Sequence, residues 1–234
     1  MKTFKRIDKI CEMVSFASQF FKKKIIIADI GTDHGYVAEK LSKTNFANKI
    51  IATDISEKSL DKLNNLIKLK NLEKIETKVG NGLEPVECAD ICVIAGMGGL
   101  EITKIIDGQN VKNNKKERKC NIFVLQPAQN IVELRLWAMN KHYKILKDIT
   151  FEDMDRFYSI LVIDVSKFCF SRKSIYNLWI GKNCRENSEE FSKYINYLEE
   201  YLSFMDNVKK KRLKNDNILF QKYKLKKLIK KYKK

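Results

Sequence analysis

Apolar positions along the first two thirds of the chain alternate between two periods. From residue 3 to 21 they fall at Ile7, Ile10, Cys11, Val14, Ala17 and Phe20 or Phe21, the three-and-four spacing of one helical face. Residues 24–30 are instead a short β-branched run that stops at Gly31, which predicts a buried strand. The alternation then repeats. A helix is expected from Tyr36 to Leu41 and a strand over 50–55. Ser56 can cap the next helix, which carries Ser59, Leu60, Leu63, Ile67 and Leu69. Strands follow over 74–80 and 89–96, a helix from Leu100 to Ile106, and a strand over 121–126 closed by Pro127. Asn130 is placed to cap a helix that runs to Asn140. Strands alternating with helices imply an α/β fold with a parallel sheet and crossover helices. Tyr143–Ile149 and Tyr158–Val165 have no helix between them, so they predict a hairpin that makes one edge of the sheet antiparallel. Residues 107–119, with Gly108, Asn110, Asn113 and Asn114 among charges, read as a surface loop.

After Val165 the pattern changes. Phe191, Tyr194, Ile195, Leu198, Leu202, Met205 and Val208 step by threes and fours. Residues 214–217, Lys-Asn-Asp-Asn, signal a turn, and Ile218, Leu225 and Tyr232 then recur every seven with Leu228 and Ile229 between. Two antiparallel helices with coiled-coil-like packing fit this spacing. The chain thus divides into an α/β domain over 1–165 and a helical C-terminal domain over 166–234.

Composition narrows the partners. Of 234 residues 44% are hydrophobic, enough for a core, yet no apolar run approaches the ~20 residues of a membrane span. The basic N-terminus lacks a continuous apolar region and a small-residue cleavage site, so the expected location is the cytoplasm. Cys11, Cys88, Cys92, Cys120, Cys169 and Cys184 form no CxxC pair and only His34 and His142 accompany them; reduced, mostly buried thiols and no metal site are expected. The net charge of +17 is concentrated at one end: thirteen Lys or Arg against Asp216 alone lie between Lys209 and Lys234, so this segment carries +12. Such a local field suits a polyanion. A membrane surface is the competing partner, but the apolar stripe beside these lysines is narrow and is needed for packing against the other helix. Lys209, Lys210, Lys211 and Arg212 are the candidate phosphate contacts.

The candidate chemistry lies at the ends of the strands. Asp29-Ile30-Gly31-Thr32-Asp33-His34-Gly35-Tyr36 follows a strand and opens a helix. A dinucleotide site would show GxGxxG here; this turn has GxxxG with a carboxylate before it and another inside it. Two carboxylates repel a pyrophosphate and suit a ligand with an ammonium and a sulfonium, which favours S-adenosylmethionine over NAD. Its carboxylate can use backbone N–H groups of the turn. Asp54, at the end of the second strand, can accept from ribose hydroxyls, with Ile55 beside it. Asn81, between Gly80 and Gly82, can meet an adenine amino group. Ala95-Gly96-Met97-Gly98-Gly99 ends the fourth strand. Each signal is weak alone; all four at successive strand ends are a strong joint one.

These strings, with Gly80-Asn81-Gly82-Leu83-Glu84-Pro85 and Leu125-Gln126-Pro127, resemble the bacterial tRNA (adenine-22-N1)-methyltransferases over residues 1–165. Asn81 stands where that family usually has Asp, and Ala128-Gln129-Asn130 follow where it places Asn directly. The resemblance implies a Rossmann-like class I methyltransferase sheet and a C-terminal helical coiled-coil-like extension. It also implies S-adenosylmethionine as methyl donor and tRNA as substrate. The cofactor-binding set it implies is Asp29, Gly31, Thr32, His34, Gly35, Tyr36, Asp54, Ile55, Asn81, Gly82, Ala95, Gly96 and Met97. Gly98, Gln126, Pro127 and Asn130 would meet the target base. Asp33 and Met97 would act at the reacting centre, Asp33 by stabilising the cationic product ring, and His34 would fix the turn or serve as a base. Tyr36 and Met97 are alternatives for stacking on the base. A methyltransferase for another RNA or a small molecule, and a non-catalytic RNA-binding protein of this fold, are the competing readings.

Overall fold

The structure, a computed structural model, describes residues 5–109, 119–170, 174–181, 188–209 and 216–232, without the side chains of residues 175, 204–209 and 216–222. The elements of the first part are α1 (Lys5–Ser18), β1 (Ile25–Ile30), α2 (Tyr36–Ser42), β2 (Ala47–Asp54), α3 (Glu57–Lys70), β3 (Ile75–Val79), β4 (Ile91–Ala95), α4 (Gly99–Gly108), β5 (Ile122–Gln126), α5 (Ile131–Asn140), β6 (Tyr143–Asp153) and β7 (Arg156–Phe168). They build one seven-stranded sheet in the order β3-β2-β1-β4-β5-β7-β6. The first five strands are parallel, and β7 is antiparallel to both neighbours.

Alternation along each central strand decides the layers, because successive side chains point to opposite faces. Ile25 and Ile27 of β1, Ile91 and Val93 of β4, and Ile122 and Val124 of β5 face one core, closed by Ile10, Val14 and Ala17 of α1 and by Ala38 and Leu41 of α2. Ala28, Ile30, Cys92, Ile94, Phe123 and Leu125 face the other, covered by Ile102 and Ile106 of α4 and Leu134 and Ala138 of α5. The central strands β1, β4 and β5 therefore have both faces covered, and the five parallel strands bring their carboxyl ends to one common edge, where such sheets bind ligands.

The hairpin makes one edge of the sheet antiparallel, as expected, with β7 the reversed strand between β5 and the edge strand β6. Three other expectations need correction. The hairpin is also longer than Tyr143–Val165 suggests: Met154 and Asp155, at φ 47° and 58°, make a two-residue turn without the Gly or Asn that usually marks one, and β7 runs past 165 to Phe168. Asp107 and Gly108 belong to α4, where Asp107 accepts from Trp137 Nε1 at 3.1 Å and pairs with Lys141; Asn110, Asn113 and Asn114 lie outside the described residues. Asn130 does occupy the cap position of α5, but at φ 64° its side chain makes no capping bond, whereas Ser56 caps α3 by accepting from Ser59 N. Cys11, Cys92 and Cys120 are buried, Cys88 is exposed, and Cys184 lies outside the described residues.

The chain continues as α6 (Ile175–Trp179), α7 (Glu189–Lys209) and α8 (Asp216–Tyr232). Asp216 and Asn217 already belong to α8, so of the expected turn only residues 214 and 215 remain outside the helix, and they lie outside the described residues. Phe191, Ile195, Leu198 and Leu202 of α7 and Leu225 and Ile229 of α8 pack with Val132 of α5 and with Trp179 and Ile180. The apolar stripes thus face the first part of the chain as well as each other. A buried ion pair reinforces this contact. Arg135 of α5 meets Asp148 of β6 through both carboxylate oxygens, at 3.1 and 2.7 Å, and donates to the carbonyls of Leu178 and Trp179 at 3.0 and 3.2 Å. Gly181 passes so close that a Cβ there would lie 2.7 Å from Arg135 Nη2.

Candidate active site

A cavity of about 470 Å³ opens at the carboxyl edge over β1, β2 and β4, a size typical of small-molecule sites. Its floor is the turn after β1. Gly31 N and Thr32 N both donate to Thr53 O, at 2.8 and 2.9 Å, which folds the turn back onto the end of β2. That return requires φ +70° at Gly31, a conformation glycine adopts without a steric penalty. A Cβ there would also run into Met97 Cε, which lies across the glycine.

The carboxylates have separate duties. Asp29 is buried and accepts from Thr32 Oγ1 at 2.7 Å. Burial lifts its pKa from 3.8 to about 6; the bonds from Thr32 and the Ala38 N–H oppose this, and Asp54 adds to it. Asp54 accepts from Asp33 N at 3.0 Å and Ser56 N at 2.8 Å, so it holds the turn after β1 against the start of α3 and keeps two lone pairs for a ligand. Asp33 is exposed at the mouth, at φ 48°, and bonds His34 Nδ1 at 2.6 Å. Lys62 reaches the other ring nitrogen at 3.4 Å and Tyr36 stacks on the ring, so His34 is held as part of the rim.

Ile55 is 75% exposed beside Asp54, an apolar side chain open at the rim of a polar cavity. Asn81 and Gly82 close the same end, with Gly80 N bonded to Asp54 O at 3.0 Å. Beyond β4, the loop is stitched to the loop after β5: Gly96 N donates to Gln126 O at 2.9 Å, Ala128 N to Met97 O at 2.8 Å, and Gly99 N to Gln129 O at 2.9 Å.

The cavity therefore gathers Asp29, Gly31, Thr32, Asp33, His34, Tyr36, Asp54, Ile55, Asn81, Gly82, Ala95, Gly96, Met97 and Gln126. Gly35, Gly98, Pro127 and Asn130 do not line it. Gly35 packs under Leu63 and serves the turn. Gly98 has room, since a Cβ would sit 3.6 Å from the Gln129 side chain; the tight position is Gly99, whose Cβ would strike Asn130 O. Lys209 ends α7 without a described side chain, and Lys210, Lys211 and Arg212 lie outside the described residues. Arg6, Ile7 and Ile10 of α1 and Glu101 and Ile105 of α4 also line the cavity and carried no motif. Ile7 and Ile10 do stand on the apolar face of α1, but only the fold places that face over the mouth. Among the described residues no cluster of His, Cys, Asp or Glu could hold a metal ion.

A seven-stranded sheet of this order, parallel except for β7, with an acidic cavity built from successive strand ends, defines a Rossmann-like methyltransferase. The comparisons agree. The methyltransferase domain family model matches residues 4–161. A candidate tRNA methyltransferase of Mycoplasma genitalium, MG248, is 36% identical over 167 residues, 70% of this chain and 70% of that one. The tRNA (adenine(22)-N(1))-methyltransferase of Bacillus subtilis is 27% identical over 159 residues, 67% of this chain and 65% of that one. TrmK of M. capricolum, solved with its cofactor product S-adenosylhomocysteine, aligns at a TM-score of 0.73 and 26% identity, covering 94% of this chain and 97% of that one. The chain belongs to the methyltransferase domain family, together with the candidate tRNA methyltransferase of M. genitalium.

Proposed function

We propose that this chain transfers the methyl group of S-adenosylmethionine to N1 of adenine 22 in tRNA. The observation that carries the reading is the cavity at the carboxyl edge. There an acidic β1 turn, an aspartate with an exposed apolar neighbour after β2, and an asparagine after β3 converge in the order a nucleoside joined to an amino acid requires.

S-adenosylmethionine, when bound, supplies a methyl carbon made electrophilic by its sulfonium. Asp29 would meet the ammonium, and Asp54 would accept from the ribose hydroxyls with the lone pairs left by Asp33 N and Ser56 N. Ile55 would pack on the adenine face and Asn81 would accept from its amino group. The turn N–H groups of Gly31, Thr32, Asp33 and Gly35 are bonded within the chain, so Arg6, the guanidinium lining the cavity, is the better partner for the carboxylate. Met97 and Gln126 lie on the side of β4 and β5, where the target base enters. The donor would give its methyl carbon to the N1 lone pair, with the electrons of the carbon–sulfur bond left on sulfur. The ring would carry a positive charge until an amino proton passed to water, and Asp33, exposed at the mouth, would stabilise that charge. Positioning supplies most of the acceleration, and the base must first be unpaired and unstacked.

Residues 1–165 form the catalytic domain in this reading, and residues 166–234 a coiled-coil-like tRNA-binding domain. Leu225 and Ile229 of α8 are spent on packing, while Lys226, Lys227, Lys230 and Lys231 are exposed. Contacts from such lysines go to phosphates and give affinity and orientation. No described helix is long and apolar enough to cross a membrane; the cytoplasm, where tRNA is found, is the proposed location. The test is incubation of unmodified tRNA with the protein and S-adenosylmethionine, then nucleoside mass spectrometry. 1-Methyladenosine is expected. A different methylated nucleoside would favour another RNA target, and none, with S-adenosylhomocysteine bound in calorimetry, would refute tRNA as substrate.

A further inference from the structure

Gln126, the last residue of β5, is fully buried yet lines the cavity. Its backbone is fixed by pairing with Ala95 and by the bond that Gly96 N donates to its carbonyl at 2.9 Å. Its Nε2 donates to Pro127 O at 2.8 Å. Among the described residues its buried Oε1 has no hydrogen-bond partner. A buried amide oxygen without a donor is rare and costs free energy until one arrives. Gln126 lines the cavity, so a ligand entering there is the nearest source of a donor.

The place of Gln126 along the sheet edge identifies that donor. The proposed ribose and adenine contacts, Asp54, Ile55 and Asn81, follow β2 and β3, and Asp29 ends β1. With strands ordered β3-β2-β1-β4-β5, Gln126 lies beyond the methyl-donor side, where the target base must stand. On adenine, the exocyclic 6-amino group is adjacent to N1. A base whose N1 faces the methyl carbon brings that amino group along. We propose that Gln126 Oε1 accepts a hydrogen bond from the 6-amino group of the target adenine, which makes Gln126 the residue that selects adenine; this rests on the methyltransferase reading above. Guanine and hypoxanthine carry a 6-oxo group at that position. The amide cannot turn to greet it, because inversion would set Oε1 against Pro127 O. The same bond serves the reaction. As N1 takes the methyl group, positive charge spreads to the amino nitrogen, and its N–H becomes a better donor to Oε1. The contact is therefore stronger in the transition state than in the bound substrate and acts on the rate.

The test compares two tRNA transcripts, one with adenine and one with purine, which lacks the 6-amino group, at the target position. Single-turnover methylation is measured with wild type, Gln126→Leu, Gln126→Met and Gln126→Glu, and calorimetry with S-adenosylhomocysteine checks that each variant folds and binds cofactor. Gln126→Leu and Gln126→Met should slow methylation of the adenine transcript about 10–100-fold and leave the purine transcript nearly unchanged. Gln126→Glu, whose protonated carboxyl donates to Pro127 O as Nε2 does and leaves its other oxygen to accept, should keep the preference for adenine. The lower intrinsic nucleophilicity of purine cancels in the ratio of ratios. If Leu and Met variants that bind S-adenosylhomocysteine normally retain the wild-type ratio of adenine to purine, the proposal is overturned and the methyltransferase reading stands. If wild type binds S-adenosylhomocysteine but methylates neither transcript, the parent reading fails and this one with it.

Discussion

Lowering the pH should weaken cofactor binding through one carboxyl group, Asp29. Burial lifts it to about 6 in the free protein. About nine tenths of the molecules then carry its charge at pH 7 and about a tenth at pH 5. An ammonium needs the charged form, so the dissociation constant for S-adenosylhomocysteine should rise about tenfold from pH 7 to pH 5. Stability without ligand runs the other way. The folded carboxyl keeps its proton up to about 6, while the unfolded one loses it near 3.8. Between those values the folded state binds more protons, so the unfolding free energy falls as pH rises, by about 3 kcal/mol at most. Titration calorimetry and urea unfolding at pH 5, 6 and 7, on wild type and Asp29→Asn, read both slopes. Asp33 and Asp54 share the cavity and remain in the variant, so the difference between the two proteins isolates Asp29. An affinity that is flat from pH 5 to 7 in wild type, or a tenfold dependence that survives in Asp29→Asn, would refute the assignment of Asp29 to the ammonium.

Gly99→Ala should destabilise the protein and abolish methylation, because its Cβ meets the fixed backbone oxygen of Asn130, whereas Gly98→Ala should be tolerated; urea melts and turnover separate them. Gly31→Val should lose S-adenosylhomocysteine binding in calorimetry, since it forces a β-branched residue to φ +70° under Met97. Asp148→Ala leaves Arg135 buried and charged, and should cost about 3–5 kcal/mol in urea unfolding while loosening α6 from the sheet. Replacing Lys227, Lys230 and Lys231 by Gln should weaken tRNA binding and lower the slope of log K against log salt by about 2–3, with affinity for S-adenosylhomocysteine unchanged.

The strand ends were legible because each β-branched run stops at a residue that can do chemistry: Ile30 before Gly31, Thr53 before Asp54, Val79 before Gly80-Asn81. Local pattern suffices there, since a buried parallel strand and its loop are written in consecutive residues. What escaped depends on distant pairs. Gly98 and Gly99 are alike in the sequence, and only the approach of the loop after β5 makes one of them indispensable. Arg6 is one of three basic residues in α1, beside Lys5 and Lys9, until the fold lays that helix across the cavity. Arg135 and Asp148 sit thirteen residues apart with nothing to mark them as partners, yet they tie α6 to the sheet. The end of the hairpin was missed because Met154-Asp155 adopts a turn that its residue types do not advertise.

The most direct measurement of the central claim is the site of methylation in one tRNA carried in two forms, with adenine or guanine at position 22. After incubation with the protein and S-adenosylmethionine, each is cut into defined fragments and weighed by mass spectrometry. The expected result is a single added methyl group, as 1-methyladenosine, in the fragment containing adenine 22, and no added mass in the guanine form. Equal methylation of the two forms, or a methyl group in any other fragment, would contradict it.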